Sequence, residues 1–310
     1  MRQFFTLAVL TSTVASGIRL STPFLLASLG ETLGQRSGVL NLGVDGIMLL
    51  GAFGAYYTEL HTHNLVLAVL VGALVGLVMG LVTALVSVTL KAEQGISGIG
   101  VYLFGLGMSD LLFQKLVGTP MSISTLPKVK IPLLGSIPTA GKMFFQGNLL
   151  IYLGFLLVPI LAFVLYRTAY GMKVQAVGEN PAAADSLGVS VARIRYSTVM
   201  FGSMLAGVAG AALALQVGTF QQNLTQGQGF IAVALVYFGA WRPAAVMAGS
   251  LLYGMVASIV NTWNTLGIIP TRFSNLAAMA PAVITVVALV IVARRFRQPA
   301  ALARPYERGG

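Results

Sequence analysis

Among the ionisable residues inside or beside the apolar runs of this sequence, Arg19, Glu31, Asp45 and Asp110 stand out. A charge in lipid costs several kcal/mol unless it meets a partner or a water-filled cavity. Arg19 falls near the middle of the first run, and Asp110 toward the outer end of the fourth. Glu31 and Asp45 stand near the inner ends of the first and second. Two readings of Arg19 and Asp110 are open. Either they face the interior, pairing or lining a solute path, or they form a structural ion pair or mark a break between two shorter helices. The stretch 34–57, GQRSGVLNLGVDGIMLLGAFGAYY, sets Asn41 and Asp45 at the start of a membrane helix. Unwound backbone and a helix terminus there would meet a polar solute or a neighbouring chain, although close packing also accounts for the glycines. Bond-making chemistry lacks its residues: no paired carboxylates, HExxH, GxSxG or phosphate-loop lysine pattern occurs. His61 and His63 form an HxH with no evident third metal ligand, so they read as solvated loop residues, and neither a metal nor a cofactor is expected.

These residues sit in a chain of 310 residues, 56% hydrophobic and only 9% charged, with a mean hydropathy of +0.86. One soluble core cannot hide that much apolar surface. Runs of about 20 apolar residues, enough to cross roughly 30 Å of hydrocarbon, recur from end to end. They are Phe4 to Leu29, Asn41 to Thr58, Leu65 to Leu90, Ile96 to Leu116, Leu149 to Tyr166, Tyr196 to Gln216, Phe230 to Trp241, Ala244 to Val260 and Phe273 to Ala293. The fold class is therefore an all-α polytopic membrane protein of about nine transmembrane helices, eight to ten given the short seventh run and Pro23 in the first. The first run could pass for a secretory signal, but apolar sequence resumes after Arg19, which favours a retained helix. With no cysteine, disulfides and thiol chemistry are excluded.

The net charge of +11 lies in loops, not on one face, so it reads as topology control and not as a nucleic-acid surface. Arg294, Arg295, Arg297, Arg304 and Arg308 follow the last run and place the C-terminus in the cytoplasm. Counting back, Arg242, the 167–195 loop, Lys91 and Arg36 are inside; Lys115, Lys128, Lys130, Lys142 and Arg272 are outside. The outer segment 117–147, with Pro120, Pro127, Pro132 and Pro138, reads as an ordered loop and not as a domain. In the inner loop, Asn180 is placed to cap, Pro181 fits a first helical turn, Ala182 to Leu187 is helix material and Gly188 stops it. Many of the 36 glycines fall inside apolar runs, as at Gly72, Gly76 and Gly80, which predicts closely packed helices.

Three stretches carry a resemblance to a known family. Gly38 to Gly46 (GVLNLGVDG), Gly178 to Arg195, and Gly229 to Leu235 followed by Phe238, Gly239, Trp241, Arg242 and Pro243 resemble the inner-membrane permeases of ABC importers for simple sugars, nucleosides and branched-chain amino acids. The likeness covers about residues 15–295 and is closest to the nucleoside, guanosine-type branch. In the second stretch Ala182, Ala183, Ala184 and Gly188 are similar to the family's EAAxxxG coupling loop, with Ala182 where the pattern has an acid. The resemblance implies that Glu179, Asn180, Ala182, Ala183, Ala184 and Gly188 dock on a separate cytoplasmic ABC ATPase. It further implies a second permease subunit, identical or homologous, and an external solute-binding protein or lipoprotein, all working in a bacterial plasma membrane by alternating access. Such a permease is not an enzyme, and its solute path would include Arg19, Asn41, Asp45 and Asp110. An ion-coupled secondary transporter is the competing class, and it would need no coupling helix.

Overall fold

The computed structural model describes residues 6–130, 140–293 and 297–307. Phe4, Pro132, Gly135, Pro138, Arg294, Arg295 and Arg308 lie outside the described residues.

Helices account for nearly all regular structure. In order they are α1 (Leu7–Arg36), α2 (Val44–Thr62), α3 (Leu65–Ala84, continued by a π-helical turn Leu85–Thr89) and α4 (Gln94–Leu116). A connecting segment follows with a two-residue strand pair, β1 (Val129–Lys130) and β2 (Gln146–Gly147), flanking α5 (Ala140–Phe144). Then come α6 (Leu149–Arg167), α7 (Ala169–Glu179), α8 (Pro181–Ser186), α9 (Val191–Val217), α10 (Gln228–Phe238) and α11 (Pro243–Thr265). A 3-10 turn at Thr271–Phe273, α12 (Ser274–Ala278) and α13 (Ala280–Ala293) close the series.

Seven helical stretches among the described residues are long and apolar enough to cross a membrane. The buried α2, with Asp45 and Glu59 inside it, and the 11-residue α10 account for the other two apolar runs read from the sequence. The first run does not break. Arg19 and Pro23 sit within one continuous α1 of 30 residues, about 45 Å long at 1.5 Å per residue. Arg19 is 17 positions from Arg36, about 25 Å along the axis. It therefore lies near the middle of α1, about 4 Å from its midpoint.

The core is α9, surrounded by α1, α2 and α3. Glycine sets these contacts. A Cβ on Gly202 would come within 2.6 Å of the Gly30 carbonyl oxygen of α1, and one on Gly51 within 2.6 Å of the Gly207 oxygen. Added Cβ atoms on Gly76 and Gly207 would likewise strike each other's helices. Backbones thus meet without a layer of side chains between them, the arrangement that small residues permit in membrane helices. Outward-facing Leu70, Leu74, Leu103, Phe163, Val283 and Val287 are exposed, as lipid-facing positions should be.

Candidate functional site

The loops read as cytoplasmic converge at one end of the bundle. Arg36 Nε donates to the Trp241 carbonyl at 3.1 Å, Lys91 pairs with Glu307 at 3.0 Å, and Arg195 Nη1 donates to the Arg304 carbonyl at 3.0 Å. From that end the chain turns back inward without helix. Gly38 takes φ +89°, available to glycine, and residues 37–43 descend beside α1. Glu31 Oε1 accepts from Asn41 N at 3.0 Å and from Gln35 Nε2 at 3.0 Å, while Gln94 Oε1 accepts from Leu40 N at 2.8 Å. Buried backbone needs such partners. Asn41 is buried, and its Oδ1 accepts from Gly43 N at 2.9 Å, so its first role is to shape the entry to α2.

Asp45 occupies the first turn of α2 and is wholly buried. Its Oδ1 accepts from Gly229 N at 2.7 Å and its Oδ2 from Thr225 Oγ1 at 2.9 Å, with the Gly227 N–H close by. One carboxylate thus caps the N-terminus of α10 from the N-terminus of α2, where both helix dipoles favour negative charge. A Cβ at Gly229 would collide with the Asp45 backbone, so only glycine lets the two termini meet. α10 spans about 16 Å, half a bilayer, and the turn after it carries Trp241, whose Nε1 donates to Gln35 Oε1 at 2.7 Å. Its N-terminus therefore lies deep within the bundle. The polar segment 218–227 reaches it from the opposite end of the bundle, where the Gly218 carbonyl accepts from Ile123 N at 2.9 Å. Asn223, Gln226 and Gly227 all take positive φ in this non-helical approach.

Asp110 faces the same segment, with the Asn223 N–H beside its carboxyl. The structure therefore joins Asp45 and Asp110 through residues 223–229, whereas Arg19 stands apart. No hydrogen bond or ion pair reaches Arg19 among the described residues, and its side chain is exposed on α1. Two cavities flank it. One of about 350 Å³ is lined by Ser12, Ser16, Lys128, Gln146 and Asn148. The other, of about 400 Å³, lies between α1 and α11 against Asn261, Thr262 and Thr265. Sequence reasoning missed Thr225, Gln35 and Arg195, all buried. The TQGQG run at 225–229 was the available signal for the first.

At the end where Arg36 and Arg195 lie, Asn180 Oδ1 accepts from Ala183 N at 3.0 Å and starts α8, with Pro181 in its first turn. Gly188 follows at φ +80°, where Val189 N donates to the Ala184 carbonyl. Ala184 is buried, whereas Ala182 and Ala183 are exposed and Leu187 is 84% exposed. α8 is therefore a small, protruding knob. The helix before it, α7, was not anticipated. Its Val174 and Val177 are buried, and Gly178 abuts the Arg36 carbonyl at the end of α1. Glu179 is exposed at its last turn, and its Oε2 lies 3.5 Å from Ala300 N.

Comparison with known proteins gives this arrangement a context. The family described as branched-chain amino acid transport system / permease component matches residues 13–293. A putative glucose ABC transporter permease of Haloferax volcanii is 38% identical, covering 78% of this chain and 74% of its own. A guanosine ABC transporter permease of Bacillus subtilis is 31% identical over 97% of this chain and 98% of its own. A nucleoside ABC transporter permease of Lactococcus lactis is 34% identical over 90% and 91%. No solved structure matches. The half-length helix α10, the glycine-packed bundle and the protruding α8 thus belong to a multi-pass membrane protein of the branched-chain amino acid transport system permease family.

Proposed function

We propose that this chain forms the translocation path for nucleosides in an ATP-binding cassette importer, with a separate cytoplasmic ATPase gripping α8. The carrying observation is the knob itself: a capped, six-residue helix with exposed Ala182, Ala183 and Leu187, held at the end where Arg36, Lys91, Arg195 and Arg242 gather. Small and apolar exposed residues on a protruding helix suit insertion into a groove. Basic enrichment makes this end, and with it the C-terminus, cytoplasmic. Two of the relatives named above are nucleoside permeases, which supports that solute class.

In this reading a second permease, identical or homologous, covers the Arg19 face. An exposed guanidinium within a membrane helix, beside cavities lined by Ser12, Ser16, Asn261 and Thr265, is costly against lipid and suits a wet interface between subunits. Asp45 and Asp110 bear on the path indirectly, by fixing the half-helix that ends at its depth. An external solute-binding protein or lipoprotein delivers the solute. A sugar path is the second reading, favoured by the glucose permease relative.

The test is uptake of labelled guanosine, against labelled ribose, with and without ATP, in the wild type and in Gly188→Trp. A Cβ at Gly188 meets nothing within 4 Å, so the substitution loads the docking surface without disturbing the bundle. Positive φ adds about 1 kcal/mol of local strain. Uptake should need ATP and should fall at least about tenfold in the variant, the effect of losing ~1.4 kcal/mol of docking. Uptake that survives ATP removal would instead favour ion-coupled transport, and unchanged uptake in the variant would remove α8 from coupling.

A further inference from the structure

Arg195 was read as one more basic residue of an inner loop, yet it is 1% exposed. Its guanidinium sits at the C-terminal end of α1, where Nε donates to the Ser37 carbonyl at 3.3 Å. Nη1 donates to the Arg304 carbonyl at 3.0 Å, and Nη2 lies against Gly38. A buried cation requires such acceptors, and the negative end of a helix dipole is a favourable place for it. One of its acceptors belongs to the segment 297–307, which folds back over the inner end as a strap.

The strap bridges several elements at this end. Ala301 N donates to the Gly178 carbonyl at 2.9 Å, at the end of α7. Ala303 N donates to the Gly38 carbonyl at 3.1 Å, at the start of the unwound segment. Leu302 is buried in a cluster with Val236 and Trp241, at the end of α10. Glu307 holds Lys91, beyond α3.

We propose that Arg195 is a positioning residue for energy coupling: with the strap 297–307 it fuses α7–α8 to the inner ends of α1, α9 and α10. A displacement of α8 then carries the 37–43 segment and the half-helix with it as one body, and no hinge lies between knob and path. The inference rests on the ATPase-driven reading above.

The experiment compares guanosine imported per ATP hydrolysed in proteoliposomes, using the transporter assembled on this full-length chain. Wild type, Arg195→Ala, Arg195→Lys and a chain ending at 296 are measured side by side. Arg195→Ala and the truncation should lower import per ATP by about fivefold or more, the range of a lost coupling between sites. Hydrolysis should stay within about twofold of wild type, and Arg195→Lys should recover part of the loss. Import and hydrolysis falling in proportion would mean that the strap only stabilises the assembly, and would overturn the proposal. A second measurement stands even if those variants fail to insert. The chain has no cysteine, so Lys91→Cys with Glu307→Cys gives one site for a short bis-maleimide. Cross-linked protein should import as the uncross-linked pair does. Import abolished by cross-linking would show that the strap must detach, which also overturns it. If wild type imports neither guanosine nor ribose with ATP, the permease reading itself has failed.

Discussion

The carboxylate of Asp45 should be energetically coupled to the hydroxyl of Thr225, and a double-mutant cycle measures how strongly. Thr225→Val keeps the side chain's shape and removes the donor at 2.9 Å from Oδ2. Both residues are fully buried, so water cannot replace the lost bond. A hydrogen bond to a charged group contributes about 1.5–3 kcal/mol, which sets the expected loss for this variant. Asp45→Asn keeps an oxygen for Gly229 N at 2.7 Å but exchanges Oδ2 for an NH2, which Thr225 Oγ1 can accept. Its cost should be smaller, about 1–2 kcal/mol, chiefly the charge removed from two helix N-termini. If both changes act on one bond, the double variant should lose less than the sum by about 0.5–3 kcal/mol. The assay is unfolding of the detergent-solubilised protein as the mole fraction of sodium dodecyl sulfate is raised, with exchange of the Gly229 amide as a local probe. Strict additivity, with unchanged protection of that amide, would refute the claim that Asp45 anchors α10.

Other outcomes follow from the same geometry. Gly202→Leu sets a side chain on the Gly30 carbonyl; overpacking of this kind costs about 1–3 kcal/mol or more, so folded yield in detergent should collapse, and wild-type yield would contradict the packing. Arg19→Met should express and fold normally, because the side chain is exposed, but raise half-saturation of uptake about tenfold, roughly one charge-assisted hydrogen bond. Normal uptake with normal expression removes Arg19 from the path. The N–H groups of Ile96 and Gly95 hold the exposed Glu93 carboxyl below its ordinary range. Its folded pKa lies under its unfolded one, so its cap on α4 is complete above the unfolded value and is lost as pH falls through the folded value. Amide exchange at Gly95 and Ile96 should therefore accelerate in acid, and Glu93→Gln should abolish that dependence.

Local chemistry made some elements legible and left others hidden. α8 was readable because its cap, its first-turn proline and its terminal glycine lie within nine residues of one another. α7 carried a comparable start at Thr168, whose Oγ1 accepts from Gly171 N, but only Val174 and Val177 mark its buried face. That is too little periodicity to lift an 11-residue helix above the loop around it. The short run at 230–241 was visible as a stretch too brief to cross a bilayer. Its depth was not, because depth depends on contacts to Asp45 and Gln35 more than 180 positions away. Asp110 and Arg19 were singled out by the cost of charge in lipid, which says that a partner exists but not which. Asp110 lies beside the backbone amide of Asn223 and not beside Arg19. Arg195 and the strap were hidden for a further reason: basic and polar sequence near a membrane surface reads the same whether it lies in water or is folded under a backbone.

The packing of α9 against its neighbours limits how this protein can change shape. Where long side chains interleave, a helix can slip by exchanging rotamers at modest expense. Where a carbonyl meets a bare Cα, as between Gly30 and Gly202 or Gly51 and Gly207, there is nothing to exchange, and any slide begins with a steric collision. The central helices are thus keyed like splined shafts. Rearrangement is left to the periphery, along α6 and α13, where bulkier residues give seams that can be rewritten.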